Sequence, residues 1–202
     1  MVPETTPARS LQREQGRKVL ASLGERGGMK LLVVISPERF RDEELFEPLA
    51  VFRKAGIGYD IASVRPGPCT GMLGGRCEAT LDLAHAGAEG YDGIVVIGGA
   101  GSPEFLWGHS RLLALVAGFA GSGKLVTAIC LSPVVLARAG VLVGKRATVF
   151  RTADSVAEMR KGGADLRKES VVVDGKFITA DGPAAARKFG EDIVAALEGA
   201  GK

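Results

Sequence analysis

The chain has 202 residues, 46% of them hydrophobic and 24% charged, with a net charge of +3. That length and apolar content fit one folded domain and exclude a largely disordered chain. No 18-residue apolar run is free of charge or glycine, which excludes a membrane-spanning helix. The small basic excess is spread along the chain and aromatics are only 5%, so no nucleic-acid partner and no membrane partner are expected.

Residues 1–28 are polar, with five Arg/Lys and three Glu. A helix is predicted over Leu11 to Leu23, with Leu11, Val19, Leu20 and Leu23 as its stripe. Gly27-Gly28 breaks the pattern and Met29 directly precedes the first strong strand. Two readings stay open: an extension preceding a true start at Met29, or an arm that packs on the surface or on a partner. The glutamates argue against a transit peptide. Residues 29–202 then read as a single domain.

From Lys30 onward strands and helices alternate. Leu31 to Ile35 is a continuous run of β-formers, as in a strand buried on both faces. Asp42 to Ala55 reads as a helix with Leu45, Leu49 and Phe52 on one face, ended by Gly56. Tyr59 to Val64 is a strand, and Pro66 to Glu78 a Gly/Pro-rich excursion, read as a small hairpin, holding Cys69 and Cys77. Gly93 to Ile97 is a buried strand ending in Gly98-Gly99-Ala100-Gly101. Leu112 to Phe119 is helical, Lys124 to Ile129 a strand, Pro133 to Ala139 a helix, Ala147 to Phe150 a strand and Ser155 to Lys161 a short helix. Val171 to Thr179 is a hairpin in which Asp174-Gly175 suits a type I′ turn. Ala184 to Leu197 closes as a helix with Pro183 in its first turn. The alternation implies a flavodoxin-like three-layer α/β/α sandwich with a mostly parallel sheet. Sites in such folds lie at the carboxyl ends of strands, here Ser36–Glu44, Gly98–Gly101, Cys130–Pro133 and Phe150–Ala153.

Cys130 sits where a strand ends and a helix begins. Ser132 is a natural N-cap and Pro133 a natural first helical residue. The small neighbours Ala128 and Ser132 suit a strained nucleophile elbow; an inert core cysteine is the competing reading. In Phe40-Arg41-Asp42-Glu43-Glu44 the acids suit a helix N-terminus whatever the function, but Glu44, one position before the core residue Leu45, can face the thiol and share a proton with it. The backbone N–H groups of Gly99 and Leu131 can form an oxyanion hole. Gly118 to Lys124 imitates a P-loop, yet it ends a helix and opens a strand, and Leu125 stands where Ser or Thr is required. Gly98, Gly99 and Gly101 do not give the dinucleotide fingerprint, so no cofactor is expected. Three cysteines and two histidines lack metal-ligand spacing, so no metal is expected. His109 reads as a capping or surface residue and His85 as solvated. Cys69 and Cys77 read as small core residues or a dimer contact. The odd cysteine count, with no secretory apolar run at the start, suits a reducing, cytoplasmic setting.

The segments Lys30–Ser36, Phe40 to Pro48, Ile97-Gly98-Gly99, Ala128-Ile129-Cys130-Leu131-Ser132-Pro133 and Val173 to Thr179 followed by Gly182-Pro183 together resemble the ThiJ/PfpI superfamily over residues 30–198. The resemblance implies a homodimer or higher homo-oligomer, Cys130 as the reactive cysteine, Glu44 (four residues before Pro48) as its hydrogen-bonded carboxyl, and Gly99 and Leu131 as backbone donors. It also implies one of several activities: intracellular protease, glyoxalase- or deglycase-like enzyme, chaperone or oxidative-stress sensor. Leu131 stands where protease-like members carry His, and Phe150-Arg151 where many others do, which argues against a peptidase. A class I glutamine-amidotransferase-like domain needs a His-x-Glu pair downstream of the cysteine, and no histidine follows His109. The expectation is an enzyme acting on a small carbonyl substrate through Cys130 and Glu44, with a non-enzymatic sensor or chaperone using Cys130 oxidation as the alternative.

Overall fold

The computed structural model describes residues 28–199, and the helix expected over Leu11 to Leu23 lies outside them. In chain order the elements begin β1 (Lys30–Val34), β2 (Glu38–Phe40), α1 (Asp42–Lys54), β3 (Gly58–Ser63), β4 (Gly67–Gly71), β5 (Arg76–Ala79), β6 (Leu81–Asp82) and β7 (Gly93–Val96). They continue α2 (Ser102–Phe105), α3 (Ser110–Gly121), β8 (Leu125–Ile129), α4 (Pro133–Arg138), β9 (Arg146–Ala147), α5 (Ala153–Lys161), β10 (Asp165–Leu166), β11 (Val171–Asp174), β12 (Phe177–Ala180) and α6 (Ala186–Gly199). The main sheet runs β11-β12-β8-β7-β1-β3-β6, parallel throughout except for the β11–β12 hairpin at one edge.

The uninterrupted apolar strands have the physical cause expected of them. In β1, Leu32 and Val34 enter one core while Leu31 and Val33 enter the other, so successive side chains fill both faces of the sheet. β7 divides the same way between Ile94 and Val96 on one face and Val95 on the other. The first core is closed by Leu112, Val116 and Phe119 of α3 with Met159 of α5; the second by Leu45, Leu49 and Phe52 of α1 with Phe189 and Ile193 of α6. Burying each such side chain contributes about 1.5–3 kcal/mol. The architecture is therefore the three-layer α/β/α sandwich of a flavodoxin-like fold.

The Gly/Pro-rich excursion is a hairpin, β4 against β5, and it pairs through β4 with β2 to make a separate three-stranded sheet. Asp42, first residue of α1, clamps the hairpin tip by accepting from the N–H of Leu73 at 2.8 Å and of Gly75 at 2.7 Å.

Two expectations are corrected. The strand over Ala147 to Phe150 survives only as β9, paired with β10 in a two-stranded sheet. Both edges of β12 are taken, by β8 and β11. Thr148 N–H therefore bonds the Thr179 hydroxyl, at 2.9 Å, and Phe150 N–H bonds the Cys130 carbonyl, at 2.8 Å. The turn of the late hairpin is also different. Asp174 pairs with Phe177, so Gly175 and Lys176 are its central residues. Only Gly175 has a positive φ, +61°, which suits type II′ rather than I′.

Candidate active site

The carboxyl ends of β1, β7 and β8 meet at Cys130. It follows β8 directly, and its φ of +64° is left-handed, a strained conformation for a residue with a Cβ. The elbow is held from outside: Cys130 N–H bonds Ala180 O at 2.8 Å, and Cys130 O accepts from Phe150 N–H. Cys130 as a whole is 7% exposed.

Glu44, on the first turn of α1, is fully buried beside it. Its Oε2 accepts from Gly98 N–H at 3.1 Å. Its buried Oε1 has no hydrogen-bond partner among the described residues, and the Cys130 thiol lies beside the carboxyl. Pro48 has no N–H to give the Glu44 carbonyl, so the ordinary helical bond there is missing. Burial pushes the Glu44 carboxyl up to about 7, against the neighbouring Cys130 thiol and the Gly98 N–H, which favour its charged form. Burial pushes the Cys130 thiol up to about 12, the Glu44 carboxylate adding to this, while the N–H groups of Gly99 and Leu131 act the other way. The pair therefore titrates in two steps, the first near neutrality.

The two N–H groups that face the sulfur belong to fixed peptide planes. The Gly98 carbonyl accepts from Arg41 N–H at 3.1 Å, which turns Gly99 N–H toward the sulfur. The Cys130 carbonyl held by Phe150 does the same for Leu131 N–H. No larger residue fits at Gly98 or Gly99. A Cβ at Gly98 would lie 2.6 Å from Cys130 Cβ and 2.7 Å from Glu44 Oε2, and one at Gly99, where φ is +110°, would collide with the backbone of Arg39 and Arg41.

All four residues singled out from the sequence, Cys130, Glu44, Gly99 and Leu131, thus come together. The histidines do not join them: His109 caps α3 by accepting from Leu112 N–H, and the His85 ring is exposed beside Asp82. Ser132 departs from its expected role. It stands at the N-cap position of α4, but its hydroxyl turns inward to the Ile97 carbonyl at 2.7 Å and to Ser102 at 2.8 Å. Sequence reasoning missed three supports: Gly98 N–H on Glu44, Phe150 N–H on the elbow, and Trp107 Nε1–H on the Leu131 carbonyl at 2.8 Å. None has a local signal, because each joins segments far apart in the chain.

The geometry defines a flavodoxin-like α/β protein with a buried cysteine–carboxyl pair at a strand-to-helix elbow. Residues 29–196 match the DJ-1/PfpI family, and the chain belongs to it. An uncharacterized protein of Methanocaldococcus jannaschii is 47% identical over 169 residues, 84% of this chain and 82% of that protein. A deglycase of Thermococcus kodakarensis is 30% identical over 155 residues, 77% of this chain and 91% of the deglycase. A ThiJ/PfpI domain protein from Brachyspira murdochii has a similar structure, with a TM-score of 0.81 and 31% identity, covering 85% of this chain and 98% of that one. Among the described residues, no helix is long and apolar enough to cross a membrane.

Proposed function

We propose that the protein acts on small reactive carbonyl compounds, 2-oxoaldehydes in particular, with Cys130 as nucleophile and Glu44 as proton shuttle. The observation that carries the reading is a buried carboxyl with one unpartnered oxygen, beside a thiol that two fixed N–H donors face. The name of the Thermococcus kodakarensis relative, a deglycase, supports the same class of substrate. A cysteine only 7% exposed admits a small electrophile more readily than a peptide.

In this reading ionised Glu44 takes the thiol proton as sulfur bonds to the aldehyde carbon. The carbonyl π pair moves to oxygen, where the Gly99 and Leu131 N–H groups hold it, and the proton returns there to give a hemithioacetal. The carboxylate next removes the hydrogen of that carbon as a proton while the adjacent ketone oxygen takes a proton from water, giving an enediol and hydroxide. Glu44 returns its proton to the former ketone carbon as the hydroxide takes the hydroxyl proton beside sulfur, which leaves a thioester. Water hydrolyses it to a 2-hydroxy acid and the free thiol. The steps are a carbonyl addition, proton transfers and an acyl transfer to water, so no redox partner is needed.

The test is consumption of methylglyoxal and glyoxal by the wild type, Cys130→Ser and Glu44→Gln. Lactate or glycolate formed by the wild type and lost in both variants is the expected result; equal background in all three overturns it. One observation favours a second reading, a sensor based on Cys130 oxidation. The N–H donors reach the sulfur itself, where they would bind the oxygens of a sulfinate. A stable sulfinate after mild peroxide, without carbonyl turnover, identifies that role.

A further inference from the structure

We propose that Cys69 and Cys77 form a redox-active dithiol that closes reversibly to an intrachain disulfide across the β4–β5 hairpin. The two residues stand directly opposite each other in the antiparallel register. Gly71 N–H bonds Gly75 O at 2.7 Å at the hairpin tip. Counting back from that bond, the alternation of pair types makes Cys69 and Cys77 a hydrogen-bonded pair, with Cα atoms about 5.5 Å apart. That separation lies inside the ~4.4–6.8 Å span of disulfides. The Cβ atoms of facing residues are about 4.5–5.5 Å apart, whereas a disulfide uses ~3.5–4.5 Å, so closure draws the strands together by roughly 1 Å. A bond made under such strain is readily reduced again, which is the behaviour of a switch rather than of a permanent staple.

Burial assigns the two thiols different parts. Cys77 is half-buried and meets solvent, while Cys69 is 1% exposed and belongs to the same apolar core as the buried faces of α1 and α6. With a small disulfide such as oxidised glutathione as oxidant, the Cys77 thiolate attacks one sulfur. The S–S bond of the oxidant breaks and the expelled thiolate takes up a proton. The Cys69 thiolate then attacks the Cys77 sulfur of the mixed disulfide and expels the second thiolate. Two cysteine thiols are oxidised and one small disulfide is reduced to two thiols. Burial raises both cysteines, and Cys77 is raised further by Cys69 and Glu78 beside it, so exchange accelerates as the pH rises.

The experiment treats the full chain with oxidised glutathione at mildly alkaline pH and reads intact mass, thiol count and a tryptic map. Arg76 lies between the two cysteines, so trypsin places them in separate peptides, 55–76 and 77–111. The expected result is loss of two of the three thiols and of the mass of two hydrogens, with those peptides joined and dithiothreitol restoring them. Cys130→Ser still closes, and Cys77→Ser does not. Three thiols surviving treatment, a glutathione adduct that persists on Cys77, or a link to Cys130 or to a second chain overturns the proposal. The wild-type map decides the matter by itself if either variant folds poorly.

Discussion

Glu44→Gln tests the electrostatics of the site without reference to any substrate. An unfolded glutamate titrates near pH 4.3, whereas the buried Glu44 titrates at about 7. Between those values the folded chain holds a proton that the unfolded chain has released, so stability falls as the pH rises through that window. Below it both states are protonated and the group contributes nothing. Above pH 7 the full difference applies, about 4 kcal/mol for the interval from ~4.3 to about 7 at ~1.36 kcal/mol per pH unit. Most of it, about 2–3 kcal/mol, develops between pH 5 and pH 8. Glutamine keeps an oxygen for Gly98 N–H and does not titrate, so whatever packing it loses is the same at both pH values. The advantage of the variant over wild type therefore grows by about 2–3 kcal/mol from pH 5 to pH 8, or roughly 5–10 °C in the difference of melting temperatures for a chain of this size. Thermal unfolding of both proteins at the two pH values measures it. A melting difference that does not change with pH would refute the assignment of a raised carboxyl to this position.

Cys130→Ser removes the alkaline limb in the same way. The unfolded thiol ionises near pH 8.5 and the folded one only at about 12, so wild-type stability falls as the pH rises above about 8.5 and that of the serine variant falls less; melting at pH 8 and pH 10 compares them. Gly98→Ala forces a methyl group between Cys130 and Glu44, and unfolding titrations should show a loss of about 1–3 kcal/mol from overpacking. Trp107→Phe removes the indole N–H from the Leu131 carbonyl, and denaturant titration should show a loss of about 1 kcal/mol. The same variant should lower the rate of Cys130 alkylation or carbonyl turnover by more than its fold stability accounts for, because the released carbonyl belongs to the elbow.

The parts of this fold that could be read from sequence are those whose cause is local. The strand Leu31–Ile35 announces itself because both faces of the sheet are covered, and α1 because Leu45, Leu49 and Phe52 recur at helical spacing. The elbow is legible because Ala128 and Ser132 leave room for Cys130 to take a left-handed conformation. The rest depends on partners distant in sequence. β2 and β6 have only three and two residues and exist because a neighbour offers an edge. Thr148 to Phe150 has strand-forming residues but no free edge to join. Ser132 carries the residue type of an N-cap, yet its hydroxyl is engaged by the Ile97 carbonyl and the Ser102 hydroxyl and makes no cap bond. The inward turn of Asp42 toward the hairpin tip has the same origin, since the helix dipole alone would favour an acid there with any orientation.

That division explains why so few side chains specify the site. Of the three groups around the sulfur, only the Glu44 carboxyl belongs to a side chain; the others are two backbone N–H groups. Each N–H is aimed by a carbonyl bonded to a different segment, Gly98 to Arg41 and Cys130 to Phe150. The donors are thus set by the main chain, with no side-chain rotamer to order when a negative oxygen forms nearby, which is the condition under which such donors stabilise charge most. The cost of the arrangement appears as backbone strain at Cys130 and as a buried carboxyl with an unpartnered oxygen. Both are concentrated at one point of an otherwise well-satisfied core, and both disappear in a double Cys130→Ser, Glu44→Gln protein only in part. The carboxyl term is removed, whereas the left-handed φ, imposed by Ala180, Phe150 and the turn into α4, remains.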